Sequence, residues 1–403
     1  MFPMTRTMAG TRGLASVMHP LCMPVGSFLS RVSTATMKEV LVVGFGAVGA
    51  VYSLILKRSG LARVTAVARS NHDVVNRNGI HFKSVKYGDI PGWRPDRLCR
   101  SVENASDRAY DYVILTTKAV PDLVKTPTIL KPLLTAPYTD KFHQPVYVLL
   151  QNGLNVELDL YHAIKNLRKG EPKIIGTSLY IGANLLAPDV VEHNHFDRPT
   201  LGMYRHNDFT TVVNTNEEAV ILDGIASILA KGGSEVAVVP EIQRKKFSKN
   251  FWNVAFSSVS ALTGYTLPAI FRPPPNDSVK YEPFVAHKTA ALIDEYTITT
   301  LKAVMQELVD LARALGFPDS KDAIPSSIVE STISATSALH VLPESVHVPS
   351  MLLDVRKGQP IEVEVIFGEV VRMAKARGVP VPVSHMYIID IVSSVDLVTF
   401  SED

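Results

Sequence analysis

Cysteines are scarce in this sequence, and long apolar runs are absent. Two cysteines, Cys22 and Cys99, occur among 403 residues, which excludes a framework of several disulfides and a cysteine-based metal site and favours a reducing compartment. No stretch approaches the roughly 18 consecutive apolar residues of a membrane-spanning helix, so we predict no membrane association. With 46% hydrophobic residues the chain can bury large cores, and its length predicts about two domains.

Acidic residues are missing from the first 38 positions, which contain three arginines and three prolines. This composition is typical of a mitochondrial transit peptide, although the prolines interrupt the amphipathic helix of such peptides. We predict that residues 1–37 are a leader outside the fold. The protein is then mitochondrial, or cytoplasmic if the leader is a disordered extension or translation starts at Met37. Removing the leader's arginines from the formal charge of +2 leaves −1, so we predict no nucleic-acid partner.

A glycine-rich segment follows an apolar strand-like run near the start of the predicted fold and precedes a helix-like run. Its G-x-G-x-x-G spacing in this context predicts a dinucleotide site. The first glycine permits a tight turn, the second lets the backbone approach a pyrophosphate, and the third lets the helix pack closely on its strand. An ordinary glycine-rich turn is the alternative. The predicted cofactor-binding residues of this segment are Gly44, Phe45, Gly46, Ala47, Val48 and Gly49.

A basic residue follows the second strand-like run, which covers residues 63–68. Enzymes that prefer NAD place Asp or Glu near this point to bind the ribose hydroxyls, whereas this chain has Ala68, Arg69 and Ser70. A guanidinium attracts a 2′-phosphate and matches its geometry. Arg69 therefore favours NADP(H) over NAD(H) as the cofactor.

Strand-like and helix-like segments alternate from Lys38 to about Pro240, and helical periodicity dominates afterwards. The alternation predicts an α/β fold in which residues 38–240 form a Rossmann-type doubly wound parallel sheet domain. Further strands near 190–204 and 234–238 are expected to be antiparallel. Residues 241–403 are predicted to form an all-helical carboxyl-terminal domain. The predicted parallel strands are residues 39–43, 63–68, 112–116, 146–150 and 173–180, and the predicted later helices are residues 241–262, 288–315, 327–335, 360–377 and 383–395.

Polar side chains interrupt the apolar pattern at places that such a fold can bring together. Lys118 and Asn152 follow two predicted strands, at the carboxyl edge where doubly wound sheets bind ligands. Lys249 and Asn253 are four residues apart, so a helix would present both on one face. From the spacing alone, a solvated lysine beside a capping amide is the alternative. Two further polar residues in mainly apolar stretches are candidates for a cleft, Ser350 and Glu362.

Five motifs occur in an order that is more specific than any one of them. They are Gly44-Phe-Gly-Ala-Val-Gly49, Thr117-Lys118, Gln151-Asn-Gly153, Lys249-x-x-x-Asn253, and Ser350-Met-Leu-Leu-Asp354 followed by Gly358-x-x-x-Glu362. With these motifs the chain resembles the ketopantoate reductases (2-dehydropantoate 2-reductases), within the 6-phosphogluconate dehydrogenase-like group. The resemblance extends from Lys38 to about Val395.

The resemblance implies NADPH-dependent reduction of 2-dehydropantoate, a small 2-oxoacid, to (R)-pantoate on the route to pantothenate and coenzyme A. The implied roles are cofactor binding for the glycine motif, Arg69, Lys118 and Asn152, catalysis for Lys249 and Glu362, and substrate binding for Asn152, Asn253 and Ser350. An ammonium suits a general acid here, because hydride delivery builds negative charge on the ketone oxygen. The exposed helix faces of the carboxyl-terminal domain are compatible with a homodimer.

Two positions depart from the family pattern. His347 and Ser257 stand where family members commonly have Asn, and both positions face the substrate in the family. Reduction of another 2-oxoacid or ketone therefore stays an alternative. A non-catalytic NADP(H)-sensing protein is a less favoured one, since such a protein does not need Lys249.

Histidine and aspartate alternate in a later strand-like segment. His193, His195 and Asp197 are metal-ligand types that could share one strand face. Alternating polar residues more often mark a solvated strand face, and no other ligand cluster is evident. We therefore predict no metal site.

Overall fold

The structure is a computed structural model that describes residues 37–276, 278 and 280–399. The predicted leader, except for Met37, lies outside the described residues. The described residues from Met37 onward form one compact unit. Within the described part, no helix is both long enough and apolar enough to cross a lipid bilayer.

The strands described by the structure form one sheet of ten. In chain order they are β1 Lys38–Val43, β2 Ala62–Val67, β3 Ile80–Ser84, β4 Gly88–Trp93, β5 Arg97–Cys99, β6 Tyr112–Leu115, β7 Val146–Leu149, β8 Ile174–Ala187, β9 Val190–Met203 and β10 Ala237–Val238. Their order in the sheet is β4-β3-β9-β8-β7-β6-β1-β2-β5, with β10 beside β9. The pairs from β8 through β7, β6, β1 and β2 to β5 are all parallel. The doubly wound parallel sheet is therefore confirmed.

The strands that close the sheet match the prediction only in part. β8 and β9 are antiparallel, as expected for neighbours joined by a short turn. β10 pairs in parallel with β9, so it too runs antiparallel to β8 and to the parallel strands beyond β8, as predicted. Along the chain, the helix Asn216–Lys231 connects β9 to β10. It returns the chain to the end of the sheet at which β9 begins. β3, β4 and β5 were not predicted, since β4 contains two glycines and a proline and β5 is only three residues long.

Helices cover both sides of the sheet and form nearly all of the structure after β10, so the predicted helical region is confirmed. The first group is Ala47–Arg58, His72–Asn78, Val102–Ala105, Thr126–Ile129, Lys131–Leu134, Tyr138–Lys141, Leu158–Leu167 and Asn216–Lys231. The second group is Ile242–Trp252, Ser258–Thr263, Pro268–Phe271, Ala290–Leu292, Thr299–Ala314, Ile328–His340, Ser350–Arg356, Glu369–Arg377 and Pro382–Thr399. Wide π-helical turns at Asn253–Ser257, Ile293–Ile298 and Glu364–Gly368 join some of these helices.

The two faces of the sheet bury different apolar side chains. Val40 and Val42 of β1 belong to a core that the helices Ala47–Arg58 and Asn216–Lys231 close. Leu41 and Val43 point to the other face. Their core continues without interruption into the helices of the second half. The helical region therefore packs on the sheet as part of one body.

The replacement Gly49→Ala is expected to destabilise the fold in the absence of any ligand. A Cβ atom there would lie 1.9 Å from the carbonyl oxygen of Gly44 and 2.6 Å from Thr116 Oγ1, so the helix would have to move away from β1. Overpacking of this kind costs about 1–3 kcal/mol. Gly46→Ala is the matched control, because nothing lies within 4 Å of a Cβ at that position. Thermal unfolding should show a lower Tm for Gly49→Ala alone, and equal values would contradict the packing argument.

Candidate active site

The glycine motif forms the turn between β1 and the helix Ala47–Arg58. Gly44 has a φ of +97°, and a Cβ there would lie 2.9 Å from the backbone nitrogen of Thr117. Gly46 precedes the helix, is exposed and has open space beside it. The buried Asn71 side chain donates a 2.9 Å hydrogen bond to the carbonyl oxygen of Phe45 and holds the turn in place. The remaining motif residues, Ala47 and Val48, begin the helix and are partly buried.

Arg69 lies at the carboxyl end of β2, directly after the buried Ala68. Its side chain is exposed at the same sheet edge as the glycine turn. The nearest acidic residue along the chain, Asp73, forms an ion pair with Arg100. The guanidinium of Arg69 is thus available to solvent at the position where the sequence predicts a phosphate.

Two strand ends near the glycine turn supply further polar groups. Lys118 follows β6 and forms an ion pair with Asp354, which lies in the helix Ser350–Arg356. Gln151 follows β7 and donates a 2.9 Å hydrogen bond from Nε2 to the carbonyl oxygen of Thr117. These contacts join the two strand ends to each other and to the helical region.

Glu362 is buried where the sheet edge meets the helical region. Its Oε1 accepts a 3.0 Å hydrogen bond from the backbone N–H of Ala119, and its Oε2 accepts a 3.3 Å bond from Asn152 Nδ2. Burial raises the pKa of this carboxyl group, and the Ala119 hydrogen bond offsets the shift only in part. The carboxyl group therefore takes up a proton more readily than an exposed glutamate does.

Lys249 approaches Asn152 from the opposite side, on the helix Ile242–Trp252. Its Nζ donates a 2.9 Å hydrogen bond to Asn152 Oδ1 and a second bond to the carbonyl oxygen of Leu179, and it lies 5.1 Å from the ring centre of Tyr180. Burial lowers the pKa of Lys249 to about 8, and the charge of Glu362 opposes that shift. Asn152 thus joins an ammonium to a carboxyl group through the two ends of one amide.

The wide turn Glu364–Gly368 fixes this arrangement. In a π-helical turn the usual i to i+4 hydrogen bonds are disrupted, so some carbonyl groups are free to bind elsewhere. Val365 O accepts a 2.7 Å bond from the backbone N–H of Leu154, and Ile366 O accepts a 2.9 Å bond from Asn250 Nδ2. Gly153 is required at this contact, because a Cβ there would lie 2.4 Å from a Val365 methyl group. The turn therefore binds the sheet edge and the lysine helix at once.

The other predicted substrate-binding residues lie at different depths. Asn253 is buried and lines a cleft together with Asn152 and Lys249. Ser350 is exposed at the start of its helix, which packs against the turn Asn253–Ser257. The structure thus brings Asn152, Lys249, Asn253 and Glu362 together. It places Ser350 beside them at the surface and leaves Arg69 at the end of β2, three strands along the sheet from β7, which Asn152 follows.

Several residues of the site were not predicted from the sequence. Thr177, Ser178 and Lys246 also line the cleft. Lys246 had a visible signal, since it lies three residues before Lys249 and would share its helix face. Its ion-pair partner Glu157 had none, because 89 residues separate them.

The sequence suggested that the alternating histidine and aspartate residues mark a solvated strand face. In the structure they do not share one solvated face. His193 and Asp197 are buried, whereas His195 is exposed, because the pairing of β8 and β9 shifts its register between Ile181 and Ala183. Asp197 Oδ2 accepts hydrogen bonds from Lys86 and Tyr87, at 2.9 and 2.7 Å, and His193 bonds to Ser84. Among the described residues no group of three or more His, Cys, Asp or Glu side chains is arranged to hold a metal ion.

Two family models match this chain. The model of ketopantoate reductase PanE/ApbA matches residues 40–206, and the model of the PanE/ApbA C-terminal domain matches residues 285–395. Together they cover more than half of the sequence. The chain therefore belongs to the ketopantoate reductase family of oxidoreductases, as its motifs predicted.

Similar proteins and structures extend over almost the whole chain. The uncharacterized protein YDL144C of Saccharomyces cerevisiae is 26% identical over 86% of this chain and 90% of its own length. A 2-dehydropantoate 2-reductase of Nostoc sp. is 21% identical over 86% of this chain and 91% of its own length. The crystal structure of 2-dehydropantoate 2-reductase from Methylococcus capsulatus has a TM-score of 0.67 and 24% identity, covering 91% of this chain and 98% of that one. The ternary structure of D-mandelate dehydrogenase with NADH and anilino(oxo)acetate has a TM-score of 0.66 and 16% identity, covering 90% and 99%.

The amine of Lys249 is expected to titrate near pH 8. Its charged form is disfavoured by burial, so the neutral, reactive amine should accumulate as the pH rises through 8. Competitive acetylation across a pH series, followed by mass spectrometry of the labelled peptides, measures this directly. The exposed Lys245 of the same helix is the internal reference. If both lysines followed one pH profile, the proposed effect of burial would be wrong.

Proposed function

We propose that this protein reduces 2-dehydropantoate to (R)-pantoate with NADPH, as a step toward pantothenate and coenzyme A. The observation that carries the proposal is the cluster of Lys249, Asn152 and Glu362, in which an amide joins a partly buried ammonium to a buried carboxyl group. Membership in the family supports the reaction class. The Nostoc relative supports the substrate.

The carboxyl edge of the sheet fits a dinucleotide. Gly46 leaves room for a phosphate, and no side chain caps the N-terminus of the helix Ala47–Arg58, so its N–H groups are free to bind an anion. No acidic residue lies in the first turn of that helix. The nicotinamide, when bound, supplies the hydride that the ketone carbon receives. Arg69 would hold the 2′-phosphate, and Lys118 and Asn152 would lie toward the nicotinamide end.

Lys249 has the properties of the proton donor. The carbonyl oxygen of the substrate gains negative charge as its carbon receives the hydride, and Lys249 Nζ would donate a proton to that oxygen. With a pKa of about 8, the ammonium is mostly protonated at neutral pH, yet it releases its proton more readily than an exposed lysine does. Asn253 and Ser350 would orient the substrate, and Glu362 would accept a hydrogen bond from its hydroxyl group.

The replacement Lys249→Ala is expected to lower kcat/KM for 2-dehydropantoate by about 10²–10⁴-fold, the usual contribution of a positioned acid. NADPH affinity should change little, since Lys249 is assigned to the substrate side. Lys245→Ala removes an exposed ammonium from the same helix and is the matched control. NADPH absorbance followed on mixing measures turnover. Undiminished turnover in Lys249→Ala would refute the proposed chemistry.

The replacement Arg69→Ala is expected to raise KM for NADPH roughly tenfold, because one charge-assisted hydrogen bond to a phosphate is lost. KM for NADH should stay the same, since NADH lacks the 2′-phosphate. Arg77→Ala, at an exposed position of the next helix, controls for general loss of positive charge. Equal effects on both cofactors, or none on either, would count against NADPH as the natural cofactor.

A 2-oxoacid with a flat side chain is the second candidate substrate. The ring centres of His347 and Trp252 are 5.7 Å apart, and Trp252 stands three residues after Lys249 in the chain. Aromatic rings provide a surface on which a planar group can stack. D-mandelate dehydrogenase, solved with anilino(oxo)acetate, has a related fold. A panel of aryl and alkyl 2-oxoacids assayed beside 2-dehydropantoate separates the two candidates, and silence with all of them would favour an NADP(H)-sensing protein.

A further inference from the structure

A buried ion pair lies beside Lys249 that the proposed chemistry does not use. Lys246 is 6% exposed and Glu157 is 1% exposed, and Lys246 Nζ contacts Glu157 Oε1. Buried ion pairs are costly to form, and replacing one with apolar residues is often neutral or stabilising. Stability alone is therefore a weak reason for this pair to be present.

The fold makes specific room for the carboxylate. Glu157 lies directly before the helix Leu158–Leu167, where the N-terminus of a helix favours negative charge. Its Oε1 approaches β8 at Gly176, and a Cβ there would lie only 2.7 Å from that oxygen. Any other residue at Gly176 would displace the carboxylate from Lys246.

Lys246, the cationic member of the pair, lines the same cleft as Lys249. Lys246 and Lys249 are three residues apart on the helix Ile242–Trp252, so their side chains are neighbours on one face. Both line the cleft beside Thr177 and Ser178. Two ammonium groups this close repel each other, and Glu157 compensates the charge of one of them.

We propose that Lys246 and Glu157 are positioning residues that set the charge state of Lys249. Lys246 disfavours a second positive charge in the cleft, and Glu157 limits this repulsion so that Lys249 stays protonated near neutral pH. The inference rests on the proposed role of Lys249 as the proton donor. The pH range of the reaction then depends on a pair that need not touch the substrate.

Few other ionisable groups face Lys249 in the described part of the chain. Glu362 lies on the side of the helical region and reaches Lys249 through the amide of Asn152. Tyr180 lies on the sheet side, and burial raises the pKa of its phenol, so it stays neutral in the working pH range. Both groups are retained in every variant of the buried pair.

The test is the upper limb of the pH profile of kcat/KM, which reports the free enzyme's proton donor. Glu157→Gln leaves the charge of Lys246 uncompensated, so the upper limb should shift to lower pH by about one unit. Lys246→Gln removes the repulsion between the two ammonium groups, so the upper limb should shift to higher pH. The double variant Glu157→Gln/Lys246→Gln should return toward the wild-type limb. Lys245→Gln, an exposed neighbour, should leave the profile unchanged.

Acetylation of Lys249 across the same pH series gives a second readout that needs neither substrate nor cofactor. If Lys249→Ala retains turnover, the proposed function fails while the labelling still reports on the pair. If turnover requires Lys249 but the single variants share the wild-type profile, or shift in one direction, this inference alone is overturned.

Breaking a buried pair destabilises a fold, so circular dichroism and thermal unfolding accompany each variant. Glu157→Asp keeps both charges but withdraws the carboxylate by one methylene group. It should shift the pH profile of Lys249 to lower pH, as Glu157→Gln does, but by less. A Glu157→Asp profile identical to the wild type would contradict the proposal even if the glutamine variants did not fold.

Discussion

The arrangement of the site depends on the docking of the wide turn Glu364–Gly368 against the sheet edge. The turn presents two carbonyl groups that an ordinary helix would bind internally, and these bind Leu154 and Asn250. Glu362 lies two residues before the first residue of the turn, so its carboxyl group takes its position from the same contact. A shift of this turn would separate the carboxyl group from Asn152 and from the lysine helix together. The absence of a side chain at Gly153 is what allows the close approach.

Burial acts on the two ionisable groups of the cluster in opposite senses. It lowers the pKa of Lys249 and raises that of Glu362, so in both cases the neutral form becomes more accessible. Both buried groups are hydrogen-bonded, since each takes part in at least two hydrogen bonds. The free energy needed to move a proton in this cluster is therefore smaller than at the surface. Such a site is suited to proton transfer at neutral pH.

The sequence predicted those parts of the fold that a local pattern determines. β1, β6 and β7 are short apolar runs between helix-like segments, and their parallel pairing followed from that alternation. β4 was missed because its glycines and proline argue against a strand, and only its pairing with β3 makes it one. The parallel pairing of β10 with β9 was not predicted, because it depends on the helix that precedes β10, which periodicity alone does not orient.

The site was predictable to the extent that its residues follow strand ends or share a helix face. Lys249 and Asn253 were placed together by their spacing, and Asn152 by its position after β7. The bridge from Asn152 to Glu362 spans 210 residues and carries no local signal. The wide turn at Asn253–Ser257 was also invisible, because π-helical and α-helical turns have the same apolar spacing over so few residues. The residue pattern marked Glu362 only as a candidate for a cleft, and the family resemblance supplied its implied role.

The identity of residue 152 follows from the charges on either side of it. The ammonium of Lys249 needs an acceptor, and the carboxylate of Glu362 needs a donor, and one amide side chain supplies both. An aspartate could only accept, and its extra negative charge would oppose the ionisation of Glu362 and hold the proton on Lys249. A direct contact between Lys249 and Glu362 would have the further effect of directing that proton to the carboxylate. By keeping the two groups apart without adding charge, Asn152 leaves the substrate oxygen as the site to which Lys249 would donate in the reaction we propose.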